Sequence, residues 1–135
     1  MTRFHGGHNE CVKYAVSVAR AALGMDPEVP EERIQSGLHP DEITELIGYW
    51  FPNHRVHIWS GDDLSKNVKS DNVTYEGDEL HHDDYPPSDY LFMYVYTTEP
   101  DYAHMVVGLI ENAGTKIVMG IAIETEPTLQ ISDIC

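Results

Sequence analysis

The chain has 135 residues, with 8 Lys plus Arg against 23 Asp plus Glu and a formal net charge of −15. A composition of 41% apolar and 23% charged residues is that of one ordinary globular domain spanning residues 1–135. The deficit of cations excludes a nucleic-acid binder that works by neutralising phosphates; no apolar run approaches the ~18 residues of a membrane span.

Met1 to Asn9 holds no apolar secretory segment. The two cysteines, Cys11 and Cys135, therefore read as free thiols of a reducing compartment, the cytoplasm. Apolar positions at Val12, Ala15, Val16, Ala19, Ala22 and Leu23 predict an amphipathic helix from Cys11 to Leu23. Gly24 is its stop and Asn9 its N-cap, which places Cys11 in the first turn. A second helix is predicted from Pro40 at N1, with Asp41 and Glu42 in its first turn and Ile43, Leu46, Ile47 and Trp50 on its buried face; Pro52 ends it.

Arg55 to Trp59 reads as a short strand, and residues 61–89 as loop with a brief strand around Val73 to Tyr75. Tyr90 to Tyr96 is near-continuously apolar, as in a strand buried on both faces. His104 to Ile110 and Lys116 to Ile123 are two more strands, joined by a turn at Asn112-Ala113-Gly114. The expected fold class is α+β: N-terminal helices packed on a C-terminal antiparallel sheet whose last three strands form a meander.

Acidity is uneven. Residues 1–70 hold 10 acids and 7 bases, whereas residues 71–135 hold 13 acids against Lys116 alone. The densest stretch, Glu76 to Asp84, reads first as a solvated loop. A docking surface for a basic partner, an acidic mimic of nucleic acid and adaptation to high salt are the sharper alternatives.

A thiol at a helix N-terminus meets the positive end of the helix dipole, which favours thiolate. A thiolate nucleophile needs a nearby base, and that base an orienting group. His104, opening a strand, is the candidate base. With Ala113-Gly114 as a two-residue loop, Ile123 stands opposite His104, and a one-residue change of loop length brings Ala122 or Glu124 there. Glu124 is the ionisable residue of that window. Glu111 and Asn112 lie over ~20 Å along the strand, too far to serve; Glu99 and Asp101 rank below Glu124. His5, His8 and Cys11, and His81-His82-Asp83-Asp84, have the residue types of a metal site, but flexible glycine-rich and solvated segments do not build one. Trp50, Trp59, Tyr90, Tyr94 and Tyr96 read as core filling rather than as a ligand cage.

Three segments, His8-Asn9-Glu10-Cys11 through Gly24, Ala103-His104 through Ile110, and Lys116 to Glu124, resemble the papain-like superfamily of cysteine peptidases. The order of the intervening helix and strand is similar to the small bacteriocin-processing and viral leader branches, and the N-terminal motif to the CHAP amidases. The resemblance implies a reduced papain-like fold in which Cys11 attacks a peptide, isopeptide or amide carbonyl, His104 shuttles the proton and Glu124 orients the imidazole. Where many members carry Gln, this chain has His5 and Gly6, so the oxyanion would fall to the Cys11 N–H with Asn9 or His8. The expectation is a cytoplasmic thiol hydrolase, of a type common in viruses and phages, with a basic peptide or protein as substrate and no cofactor, nucleic acid or membrane. The alternative is a non-enzymatic acidic binding protein, an inhibitor or nucleic-acid mimic, including an inactive papain-like domain.

Overall fold

The computed structural model describes residues 10–29, 38–78, 85–86, 88–99, 102–108 and 116–126. Helix α1 runs from Glu10 to Ala22, and its stripe of Val12, Ala15, Val16 and Ala19 is buried as the periodicity requires. It ends where expected. Gly24 takes φ 78°, the Met25 N–H reaches back to the Arg20 carbonyl at 2.8 Å, and the Gly24 N–H to Ala21 at 3.1 Å, which satisfies carbonyls left open by the helix end.

Helix α2 spans Pro40 to Trp50. Its start is fixed by proline at the first position and by the Glu42 carboxylate accepting from the His39 N–H at 3.2 Å. The two helix ends are tied together by Arg20, which is buried and donates from Nη1 to the Trp50 carbonyl at 2.5 Å and from Nε to the Asp26 carbonyl at 2.7 Å. Beyond α2, the side-chain amide of Asn72 donates to the Phe51 and His54 carbonyls at 2.9 and 3.0 Å. That loop approaches closely because Gly48 has no side chain.

Strands β1 (Val56–Ser60), β2 (Val73–Gly77), β3 (Tyr90–Glu99), β4 (Tyr102–Val107) and β5 (Lys116–Glu124) form one sheet in the order β2-β1-β5-β3-β4. The class is α+β, as expected, but the sheet is mixed: β1 and β2 run parallel and the other pairs antiparallel. The expected meander is corrected too. The last strand does not pair with β4; it inserts between β1 and β3 and leaves β4 at the edge.

Burial explains the insertion. On β5, Met119 to Ile123 are buried without a break, the pattern of a strand covered on both faces. Met119, Ile121 and Ile123 face the helices, where they join Ile58, Met93, Val95 and Met105 with Val16, Ile47 and Trp50 in the main core. The intervening Gly120 and Ala122 face the other way. Phe92, Trp59 and Ala122 make a smaller cluster there, so bulky rings from β1 and β3 close over a central strand kept small on that face. α1 packs on β3 and β4, and α2 on β1. No helix among the described residues is long and apolar enough to cross a membrane.

The two glycines are expected to respond differently to alanine. A Cβ at Gly48 would stand 2.4 Å from the Ser70 side chain, whereas one at Gly120 would meet Trp59 at an ordinary 3.6 Å. Gly48→Ala should therefore cost about 1–3 kcal/mol in a denaturant unfolding experiment, and Gly120→Ala should leave the midpoint nearly unchanged. Equal midpoints for the two variants would contradict this packing.

Candidate binding site on the second face of the sheet

Alternation along β1 sends Val56 and Ile58 into the main core and His57 and Trp59 to the face away from the helices. Pairing continues this second face across the sheet: His57 stands beside Ala122, Trp59 beside Gly120, Ala122 beside Phe92 and Glu124 beside Tyr90. On β2 the register shifts between Ile58 and Trp59, which pair with Tyr75 and Gly77. Glu76 is the extra residue, next to Gly77 at φ 126°, the local bend of a bulge.

These placements bring three titratable groups into one ladder. His57 Nδ1 lies 2.6 Å from Glu76 Oε2, and its Nε2 lies 3.2 Å from Glu124 Oε2. The side chains are 13%, 28% and 33% exposed, in the order His57, Glu76, Glu124. A carboxylate only accepts, so both contacts are hydrogen bonds when each ring nitrogen carries a proton; a neutral ring donates to one of them. The imidazole thus links β2 and β5 across β1.

Aromatic rings surround it. Tyr85 lies 5.5 Å from His57, 4.9 Å from Trp59 and 5.0 Å from Tyr90, and Tyr90 lies 5.8 Å from His57. Most of these pairs meet edge to face, the favoured arrangement of ring quadrupoles. The Tyr90 phenol is held above its ordinary value by burial first, then by the charges of Glu124, Asp89 and Glu76.

Glu124 is anchored on its backbone. His54, 2% exposed, contacts the Glu124 carbonyl through Nδ1 at 2.7 Å, and the Glu124 N–H donates to the Arg55 carbonyl at 3.0 Å. Next to it, the Thr125 N–H and hydroxyl both donate to the Asp89 carbonyl, at 3.0 and 3.1 Å. The carboxylate therefore projects from a backbone held on both sides.

The thiol constellation is distributed differently. His104 pairs with Tyr96, their rings 5.5 Å apart, on the face opposite the buried Met105. Glu124 pairs with Tyr90, and the stretch of β3 from Tyr90 to Tyr96 corresponds to about 20 Å at ~3.3 Å per residue. Glu124 therefore does not orient His104; its carboxylate is on His57. The physical reason is the strand order, because the expected opposition of His104 to β5 needs β4 and β5 to be neighbours, and β3 separates them.

Cys11 occupies the first turn of α1, and its side chain lies outside the described residues. So do Asn9, His5, His8, Asp101, Glu111, Asn112 and Cys135, and the His81 to Asp84 cluster. Glu99 ends β3, with its side chain likewise outside. Among the described residues no group of three or more His, Cys, Asp or Glu could hold a metal ion. The aromatic residues divide: Trp50 fills the main core, while Trp59 and Tyr90 belong to the second-face cluster and Tyr94 and Tyr96 are half-buried, their rings 5.8 Å apart. Sequence reasoning missed His57 and Glu76. Alternation of Val56, His57, Ile58 and Trp59 was the available signal for His57; nothing local pairs it with β2.

Charge at Glu124 is expected to register on Tyr90. Because the folded-state value is raised, the neutral phenol favours the fold below the ordinary tyrosine range, and that contribution is lost as pH rises through the raised value. Glu124→Gln removes the charge ranked first among the coulombic causes and should lower the Tyr90 midpoint in a ¹³C NMR titration while leaving Tyr75, raised by burial and by Asp63, in place. An unmoved Tyr90 would contradict the ladder.

Compared with protein-family models, curated proteins and solved structures, the chain finds no match, so its function is read from this geometry.

Proposed function

We propose that the domain is an acidic binding protein that captures a basic partner on the second face of its sheet. The observation that carries this reading is the Glu76–His57–Glu124 ladder set among Trp59, Tyr85 and Tyr90. Carboxylates beside apolar rings sit in a lower dielectric than free surface acids, so each attracts a cation more strongly. Aromatic faces add attraction of their own for a cation. The excess of 13 acids over one base in residues 71–135 gives a long-range field that speeds encounter with a positive surface. No described helix covers this face, whereas both helices are spent on the other one.

Binding of poly-L-lysine to the intact protein, followed by calorimetry across a salt series, tests the reading. Affinity should fall as salt rises. The double variant Glu76→Gln with Glu124→Gln should weaken it by about tenfold, roughly 1.4 kcal/mol, while the exposed Glu28→Gln should not. An equal loss in both, or binding indifferent to salt, would overturn the assignment to this face.

A second reading, a papain-like cysteine hydrolase acting on peptide, isopeptide or amide bonds, is favoured by a separate observation. α1, with Cys11 in its first turn, packs against β4, the strand that carries His104. Under this reading Cys11 is the nucleophile and His104 the base, without Glu124. Iodoacetamide at pH 6 should then label Cys11 much faster than Cys135 and lose that preference in His104→Ala. Equal rates for the two thiols would end the hydrolase reading.

A further inference from the structure

The geometry points to a proton-operated release of Glu124: His57 holds its carboxylate on the sheet while both ring nitrogens carry protons, and lets go of it when one is lost. This device belongs to the fold and stands whether or not the face binds a basic partner.

His57 lies between two groups that only accept. Nδ1 faces Glu76 Oε2 at 2.6 Å, and Nε2 faces Glu124 Oε2 at 3.2 Å. A doubly protonated ring donates to both. A neutral ring has one N–H, and the lone pair of its other nitrogen then points at a carboxylate oxygen. Two acceptors in contact repel, so one side must open. The shorter contact is the stronger hydrogen bond and keeps its proton. Nε2 is therefore the nitrogen that is stripped, and Glu124 the carboxylate that leaves. Glu124 also has the readier access to water, at 33% exposed against 28% for Glu76.

The neighbours supply no compensating cation. From β2 the ring is flanked by Thr74 and Glu76, and from β5 by Ala122 and Glu124. Tyr85 and, on β3, Tyr90 complete its surroundings. Among the described residues neither carboxylate forms an ion pair with Lys or Arg, Arg55 included. The movement is confined to a side chain, because the Glu124 backbone is held by His54 and by the Arg55 carbonyl. Nδ1 of His54 donates to a carbonyl and so carries its proton in either charge state of that ring. Opening thus turns the Glu124 carboxylate outward without unpairing β5.

The test follows the intact, ¹³C,¹⁵N-labelled protein by NMR through the range in which imidazoles titrate, pH 5 to 8. Ring ¹⁵N shifts of His57 should show both nitrogens protonated at the acid end and Nε2 alone stripped at the other. The Glu124 carboxyl carbon should shift with the same midpoint, and nuclear Overhauser contacts between the His57 ring and the Glu124 methylenes should be lost with it. Contacts from the ring to Glu76 should persist. His57→Gln, which keeps a donor but cannot titrate here, should abolish the Glu124 step. Loss of the Nδ1 proton instead, ring contacts to Glu124 that survive the titration, or an unchanged step in His57→Gln would each overturn the release. The ring nitrogens and contacts of the unaltered protein decide the matter whether or not the variant folds, and none of these outcomes bears on poly-L-lysine binding.

Discussion

Everything on the second face depends on β5 lying between β1 and β3. A strand in that position must be covered above and below, and its sequence meets the demand unequally: Met119, Ile121 and Ile123 supply bulk to the helix side, while Gly120 and Ala122 keep the other side thin. Thinness there lets Trp59 and Phe92 approach from the flanking strands. The same insertion carries the end of β5 past the start of β1, and so brings Glu124 within reach of His57. One pairing choice sets the core, the aromatic cluster and the ionic ladder together.

Local pattern was enough to read much of this chain. The stripe of α1, the proline start of α2 and the alternation of His104 and Val106 against Met105 and Val107 follow from side-chain spacing of 3.6 and 2 residues, which no distant contact needs to correct. Neighbour choice is another matter. Hydrogen bonding between strands is nearly indifferent to which strand supplies the partner, so two consecutive strands with a turn between them look like a hairpin whether or not they form one. The near-continuous apolar run from Tyr90 to Tyr96 predicts a strand buried on both faces, yet its tyrosines are half-buried, since a phenol is apolar in body and polar at the tip. The more completely buried strand, β5, carries small residues whose burial depends on rings from elsewhere.

The candidate site shows the same division. Register arithmetic points to Glu124, which does belong to a carboxylate–imidazole pair, but the imidazole is His57. A residue such as His54 illustrates why: it is almost wholly buried and acts on the Glu124 carbonyl, a relation between a loop and a strand end far apart in sequence. The proposed acidic-binding function rests on this face: two carboxylates bridged by His57 and bordered by aromatic rings, in a chain whose second half is strongly acidic.

Strand order is the claim on which these conclusions stand, and nuclear Overhauser effects across the sheet report it most directly. In isotopically labelled protein, backbone contacts should join Ala122 to His57 on one side and to Phe92 on the other, with Tyr96 joined to His104. Contacts that instead place Ile123 opposite His104 would make β4 and β5 neighbours, separate Glu124 from His57 and contradict the account.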